Sequence, residues 1–215
     1  MTMTPERWKY LGRYSKELFG SQDDHLATMM DEAVAAGLPD ISVTADVGRL
    51  LMILTSLTPG RLAVEVGTLA GYSGIWIARG LSDTGRLITI EFEPKHAEFA
   101  RSQFERAGVG GAVEVRVGAG IEVLSAMRDE LASGSVDLLF LDAVKTEYSD
   151  YFKLARPLIA PGGLVLADNV YATGAGWLDE GHGTDEFNRL VASDPDFEAV
   201  AVPLRQGIMI AKRNS

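Results

Sequence analysis

Two apolar runs near the end of the chain, residues 197–204 and 206–212, are separated by little more than Arg205. A connection that short permits only a hairpin, so one of the two strands must run antiparallel to its neighbours. The chain upstream has a different texture. From Arg61 onward, short apolar runs at 62–66, 86–92, 112–117, 136–141 and 164–167 alternate with stretches of helical periodicity at 72–81, 94–107, 121–131 and 148–158. Strands that are apolar on both faces and alternate with helices belong to a parallel sheet covered on both sides. Five parallel strands finished by a hairpin predict an α/β fold on a seven-stranded, Rossmann-like sheet, and they fit an all-parallel dinucleotide fold less well. One more helix is expected at 185–192.

The first sixty residues predict a helical extension on this core. Trp8, Leu11, Tyr14, Leu18 and Phe19 recur at helical spacing, as do Leu26, Met29, Met30, Ala33 and Val34, which end at Gly37-Leu38-Pro39. A third helix is expected from Thr44, as N-cap, to about Thr58, before Pro59-Gly60. No repeat or low-complexity linker divides the 215 residues, so one domain is expected, with helices over 1–60 and the sheet over 61–215. The chain has no cysteine, which excludes disulfides, zinc-thiolate sites and thiol nucleophiles. Its net charge of −10, with no basic cluster, argues against nucleic acid as a partner. The polar start and the shortness of every apolar run predict no signal peptide and no membrane span, which makes the cytoplasm the expected location.

The first strand runs into Glu65-Val66-Gly67-Thr68-Leu69-Ala70-Gly71-Tyr72-Ser73 and then a helix. A glycine at such a turn lets the backbone approach a ligand lying over the carboxyl edge of the sheet. The pattern lacks the middle glycine with which a dinucleotide fingerprint admits a pyrophosphate. The second strand ends at Glu91, spaced as an acid that accepts hydrogen bonds from ribose hydroxyls. Glu65 and Glu91 would repel a pyrophosphate but tolerate a sulfonium or an ammonium group. The third strand ends at Gly118-Ala119-Gly120, where backbone groups can meet an adenine edge.

A second group of polar residues ends the fourth and fifth strands: Asp142, with Lys145 three residues on, and Asp168-Asn169. Neighbouring parallel strands bring these ends to one edge of the sheet. A carboxylate directly after a buried apolar run is costly unless paired. Two carboxylates and an amide carbonyl are hard oxygen donors that suit Mg²⁺, Mn²⁺ or Ca²⁺ and not zinc, and three protein ligands leave coordination positions for water and substrate. Lys145 is the candidate base. The competing reading has Asp142 and Asp168 capping the helices that follow, with Lys145 on a solvated face.

Taken together these residues resemble the cation-dependent O-methyltransferases, the group that contains catechol O-methyltransferase and caffeoyl-CoA O-methyltransferase. The resemblance spans about residues 41–213. It rests on the run from Val64 to Ser73, Leu141-Asp142-Ala143-Val144-Lys145, Pro161-Gly162-Gly163, Ala167-Asp168-Asn169-Val170 and Glu186-Phe187-Asn188-Arg189-Leu190. It implies S-adenosylmethionine as methyl donor, with Glu65, Gly67, Thr68 and Ser73 at its methionine end, Glu91 at the ribose, Ala119 at the adenine and backbone contacts from Val43. It implies a divalent cation on Asp142, Asp168 and Asn169, with Asp142 also facing the donor, and Lys145 deprotonating a catechol-type acceptor. It further implies a homodimer. Three positions depart from the family's pattern: Ala119 and Val144 stand where many relatives carry an acid, and Arg49 where glutamine is common.

Two other functions share such a sheet. A nicotinamide-dependent oxidoreductase would leave Asp168-Asn169 unexplained and would lack the middle glycine; a cofactor-binding scaffold without turnover would leave Lys145 unused. The acceptor itself depends on the first helices and on the loop 171–183, which holds Trp177 and the glycines of a lid or an ordinary loop.

Overall fold

The computed structural model describes residues 4–180 and 184–215. The five upstream runs form strands β1 (Leu62–Val66), β2 (Arg86–Glu91), β3 (Val113–Val117), β4 (Val136–Leu141) and β5 (Ile159–Asp168), and the terminal pair forms β6 (Phe197–Val202) and β7 (Ile208–Arg213). All seven share one sheet in the order β3-β2-β1-β4-β5-β7-β6. β7 runs antiparallel to both β5 and β6, so it alone opposes the other six. The strand order reverses between β1 and β4, and this switch point opens a crevice at their carboxyl ends.

Period-two alternation sends successive residues of each inner strand to opposite faces. Val64, Val66, Ile88, Ile90, Leu139 and Leu141 meet Leu124, Phe152 and Phe187 from α6 (Gly120–Glu130), α7 (Tyr148–Ala155) and α8 (Asp185–Ala192). Ala63, Leu87, Leu138, Phe140 and Leu166 meet Leu26, Leu51, Ile75 and Phe104 from α2 (Asp24–Ala35), α3 (Ala45–Ser56), α4 (Tyr72–Gly80) and α5 (Pro94–Arg106). Burying each large side chain contributes about 1.5–3 kcal/mol. That stiff double-sided core holds the strand ends in place.

Several local expectations are corrected. β3 is a sheet edge, not a strand apolar on both faces: Glu114 and Val117 are exposed, and Arg116 pairs with Glu114 and Glu130. β5 begins at Ile159, five residues before the apolar run, because Pro161-Gly162 sits in a shifted stretch of the β4 pairing instead of a loop. α7 stops at Ala155 and tightens into a 3₁₀ turn, Arg156–Leu158, where Pro157 offers no N–H. Thr44 is the N-cap of α3, but its side chain makes no capping bond; its carbonyl accepts from Gly48.

Helix α1 (Pro5–Phe19) forms as the spacing predicts, and Thr4 caps it through Arg7 N–H. None of its residues is buried, and Trp8, Leu11, Tyr14, Leu18 and Phe19 are all exposed. Within the expected loop 171–183, a two-residue ribbon (Ala172–Thr173 with Gly176–Trp177) and a 3₁₀ turn, Leu178–Glu180, are ordered elements; residues 181–183 lie outside the described residues. Among the described residues no helix is long and apolar enough to cross a membrane.

Candidate active site

A cleft of about 740 Å³ opens at the switch point, within the usual range for small-molecule sites of about 300–1,000 Å³. Of the residues expected there, Val43, Gly67, Thr68, Ser73, Glu91, Ala119, Asp142, Lys145 and Asn169 line it. Glu65 and Asp168 do not; both lie buried beneath its floor.

The β1–α4 turn is built from hydrogen bonds that end on carboxylates. Glu65 is fully buried and accepts from Ser73 Oγ and Thr89 Oγ1, each at 2.6 Å. Thr68 Oγ1 lies 2.6 Å from Thr89 Oγ1, so one hydroxyl chain joins β1, the turn and β2. Burial pushes the Glu65 carboxyl up to about 7, against the pull of its two hydroxyl donors; the charges of Asp142 and Glu91 add to the rise. Glu65 therefore reaches the cleft through Ser73 and Thr68. Glu91 Oε2 accepts from Leu69 N at 2.8 Å and Oε1 from Glu93 N at 3.0 Å, which staples the turn to the end of β2. His96 Nδ1 stands 3.4 Å from Glu91 Oε1 and also lines the cleft.

The two glycines of the turn have separate reasons. A Cβ on Gly67, at φ 103°, would lie 2.1 Å from the carbonyl oxygen of Asp142, so this glycine lets β1 pass close to the end of β4. A Cβ on Gly71, at φ 90°, would strike the Phe104 ring at 2.9 Å, so that glycine serves the packing of α5. Neither needs a ligand to explain it.

The opposite wall holds the second polar group. Lys145 Nζ donates to Asp142 Oδ1 at 2.6 Å and to Tyr148 Oη at 2.7 Å. Tyr148 is fully buried, and its hydroxyl lies 2.9 Å from the Leu141 carbonyl and 3.2 Å from that of Asp168, which ties the ends of β4 and β5 to one ring. Burial, then the charges of Asp142 and Asp168, raise the Tyr148 phenol well above its ordinary value. Asp168 is buried; Oδ2 accepts from Arg205 at 3.2 Å, and Oδ1 has no hydrogen-bond partner. Its carboxyl is pushed up to about 6, first by burial and then by the charge of Asp142, against the pull of Arg205 and Lys145. Asn169, at φ 61°, donates its side-chain amide to Gln206 Oε1 at 3.0 Å.

The capping alternative does not hold for the aspartates. Asp168 is the last residue of a strand with no helix behind it, and the 3₁₀ turn Lys145–Glu147 starts after Val144 without a side-chain cap. The residues that sequence reasoning missed are Thr89, His96, Tyr148, Arg205 and Gln206. Thr89 left a trace, as a lone hydroxyl within Leu87-Ile88-Thr89-Ile90.

A family model described as O-methyltransferase matches residues 16–214. The chain belongs to the O-methyltransferase family. It is 36% identical over 208 residues to the catechol O-methyltransferase of Niastella koreensis, which covers 94% of this chain and 93% of that protein. The solved O-methyltransferase of Bacillus cereus in complex with SAH superposes with a TM-score of 0.87 at 32% identity, over 97% of this chain and 99% of that one. The O-methyltransferase TomG of Streptomyces achromogenes, solved with SAM, gives a TM-score of 0.86 at 33% identity, over 100% of both chains. This membership displaces the nicotinamide-dependent alternative.

Proposed function

We propose that this O-methyltransferase uses S-adenosylmethionine to methylate one hydroxyl of a catechol-type acceptor, with a divalent cation, Mg²⁺ first among candidates, held by Asp142, Asp168 and Asn169. The observation that carries the cation is the buried Oδ1 of Asp168. A buried carboxylate oxygen with no partner is costly, and this one sits close enough to Asp142 to feel its charge. Lys145 and Arg205 already pull on the pair without bringing Asp168 back to the ordinary carboxylate range. A hard cation would meet that deficit, and the donors are oxygen. Among the described residues no three His, Cys, Asp or Glu side chains cluster for a metal; the third ligand proposed, the Asn169 amide, is of none of these types. SAH and SAM in the two solved relatives support S-adenosylmethionine as the donor. Ser73, Thr68 and the Gly67 turn would take the methionine end, Glu91 the ribose, and Val43 and Ala119 the remaining walls.

When bound, the donor supplies an electrophilic methyl and the cation supplies Lewis acidity toward two adjacent acceptor oxygens. A phenol with a pKa near 10 is ionised in only about one molecule in a thousand at neutral pH, so the reaction needs a proton acceptor. Lys145 Nζ is the group at the cleft wall to take that proton, which it does as the neutral amine, its own proton having first passed to solvent. Asp142 and Tyr148 hold the amine in place, and a positioned base of this kind contributes about 10²–10⁴-fold. The stiff ends of β4 and β5 would hold Asp142, Lys145, Asp168 and Asn169 in fixed positions around a bound acceptor. A panel of catechols, flavonoids and caffeoyl esters assayed with S-adenosylmethionine, with and without EDTA, tests the reading. Vicinal diols should turn over, stop in EDTA and recover with Mg²⁺; undiminished turnover in EDTA removes the cation.

The exposed face of α1 supports a homodimer. Trp8, Leu11, Tyr14 and Leu18 lie at helical spacing and are all exposed, and a two-fold dimer, the commonest closed homo-oligomer, would cover such a face. Sedimentation equilibrium should return about twice the 23.2 kDa chain mass; an active species at the chain mass would rule the dimer out.

A further inference from the structure

The turn between β6 and β7 lies beside the two proposed ligands from β5. Ile208, the first residue of β7, pairs with Asp168, so residues 204–207 fall directly beyond the end of β5. Backbone bonds then stitch the turn to the chain that follows Asn169: Val170 N to Gly207 O at 3.1 Å and Tyr171 N to Gln206 O at 2.8 Å. Arg205 holds φ 53° without being glycine, a conformation that side chains rarely adopt and that is kept where the surroundings demand it.

The side chains of Arg205 and Gln206 go to consecutive residues. Arg205 donates to one oxygen of Asp168, and Gln206 accepts from the amide nitrogen of Asn169. Each grip takes the atom a cation does not need. On Asp168 it leaves Oδ1, the buried oxygen with no partner. On Asn169 it ties down the nitrogen and turns the amide so that its carbonyl oxygen is the end left over.

We infer that Gln206, with Arg205, is a positioning pair that presents Asp168 and Asn169 to the divalent cation. This rests on the cation reading above. Gln206 is the sharper of the two, since it carries no charge and can act only through the orientation of Asn169. Arg205 also adds a positive charge near the cation, so its removal would mix two opposing effects. Partners of this kind change metal affinity by about 10–100-fold when removed.

The test is a Mn²⁺ titration, following the free-ion EPR signal, on the intact protein saturated with S-adenosylmethionine. Gln206→Ala should bind Mn²⁺ about ten- to a hundredfold more weakly, with unchanged affinity for S-adenosylmethionine by calorimetry. Gln206→Glu should bind Mn²⁺ at least as tightly as wild type, because its carboxylate still accepts from the Asn169 amide. Wild-type Mn²⁺ affinity in Gln206→Ala would overturn the inference and leave the cation reading standing. Absence of Mn²⁺ binding in the wild type, matched by Asp168→Ala, would overturn the cation reading and this inference with it.

Discussion

The two walls of the cleft both carry acids, some lining it and some buried behind it, yet they differ in how those acids are satisfied. At the β1–β2 wall the carboxylates are closed within the protein. Glu65 takes two hydroxyls, and Glu91 takes two backbone amides, one from the β1–α4 turn and one from just beyond β2. At the β4–β5 wall Asp168 has one hydrogen bond at 3.2 Å and an oxygen with none. A buried carboxylate whose hydrogen bonds are met inside the fold shapes a surface, whereas one with an unpaired oxygen is costly until a further group pairs with it. On the function proposed above, the first wall is a frame for the donor and the second is the place of the chemistry.

Variants at the second wall should cost the most. Asp168→Ala removes the unsatisfied carboxylate, so turnover should fall at least about a thousandfold if cation stabilisation of developing charge is lost. Its circular dichroism and its affinity for S-adenosylmethionine should stay near wild type. Activity within tenfold of wild type would mean that the Asp168 carboxylate is not the catalytic feature. Lys145→Met keeps the length of the side chain but not the amine, and kcat should drop by about 10²–10³-fold with little change in KM. A rise in KM alone would make Lys145 a binding residue.

How much of this contrast was legible in the sequence follows from the range over which each contact acts. Glu65, Glu91, Asp142 and Asp168 stand where apolar strands end, and the strand order brings those ends together, so the pattern alone reached them. What it could not give is which partner each acid has. Thr89 and Glu65 are 24 residues apart and meet through the β1–β2 register. Arg205 and Asp168 are 37 apart and meet only because Ile208 pairs with Asp168 across an antiparallel ladder. Hydrophobic alternation says that a hairpin is there, but a shift of the turn by one or two residues leaves that alternation nearly intact. The orientation of α1 was hidden for a related reason: a helical stripe shows that a face wants cover and not what covers it.

The closed wall should report itself through pH. The folded chain holds the Glu65 carboxyl near 7, against the usual 4.5. Between those values the folded state keeps a proton that the unfolded state releases, so stability from this group is fully present below 4.5 and is lost as pH rises through 7. Glu65→Gln, which cannot ionise, should gain on the wild type across that window by up to about 3 kcal/mol. Thermal unfolding at pH 5 and pH 8 checks this, at roughly 2–4 °C per kcal/mol for a chain of this size. Parallel curves for the two proteins would show that Glu65 stays ionised, and the closed wall would then be more polar than its burial implies.

Glu91 carries the smallest of these effects, and it separates framing from direct contact. Its two oxygens already hold Leu69 N and Glu93 N, and it also lines the cleft. If it receives the ribose hydroxyls as well, Glu91→Ala loses a charged acceptor worth about 1.5–3 kcal/mol, which is roughly ten- to a hundredfold in affinity for S-adenosylmethionine. If its work is only to staple the turn, the loss should appear in stability instead, because Leu69 sits at φ 48° and depends on that carboxylate to stay there. Glu91→Gln divides the two cases. The glutamine keeps one oxygen for Leu69 N but puts an amide NH₂, a donor, where Glu93 N needs an acceptor, and it removes the charge that a ribose would feel. Calorimetry on both variants, paired with unfolding curves, should show weakened binding in each and a larger fall in stability for alanine than for glutamine. Full affinity in Glu91→Gln, alongside destabilised alanine, would make Glu91 part of the frame alone and return the whole of the recognition to the cleft's other groups.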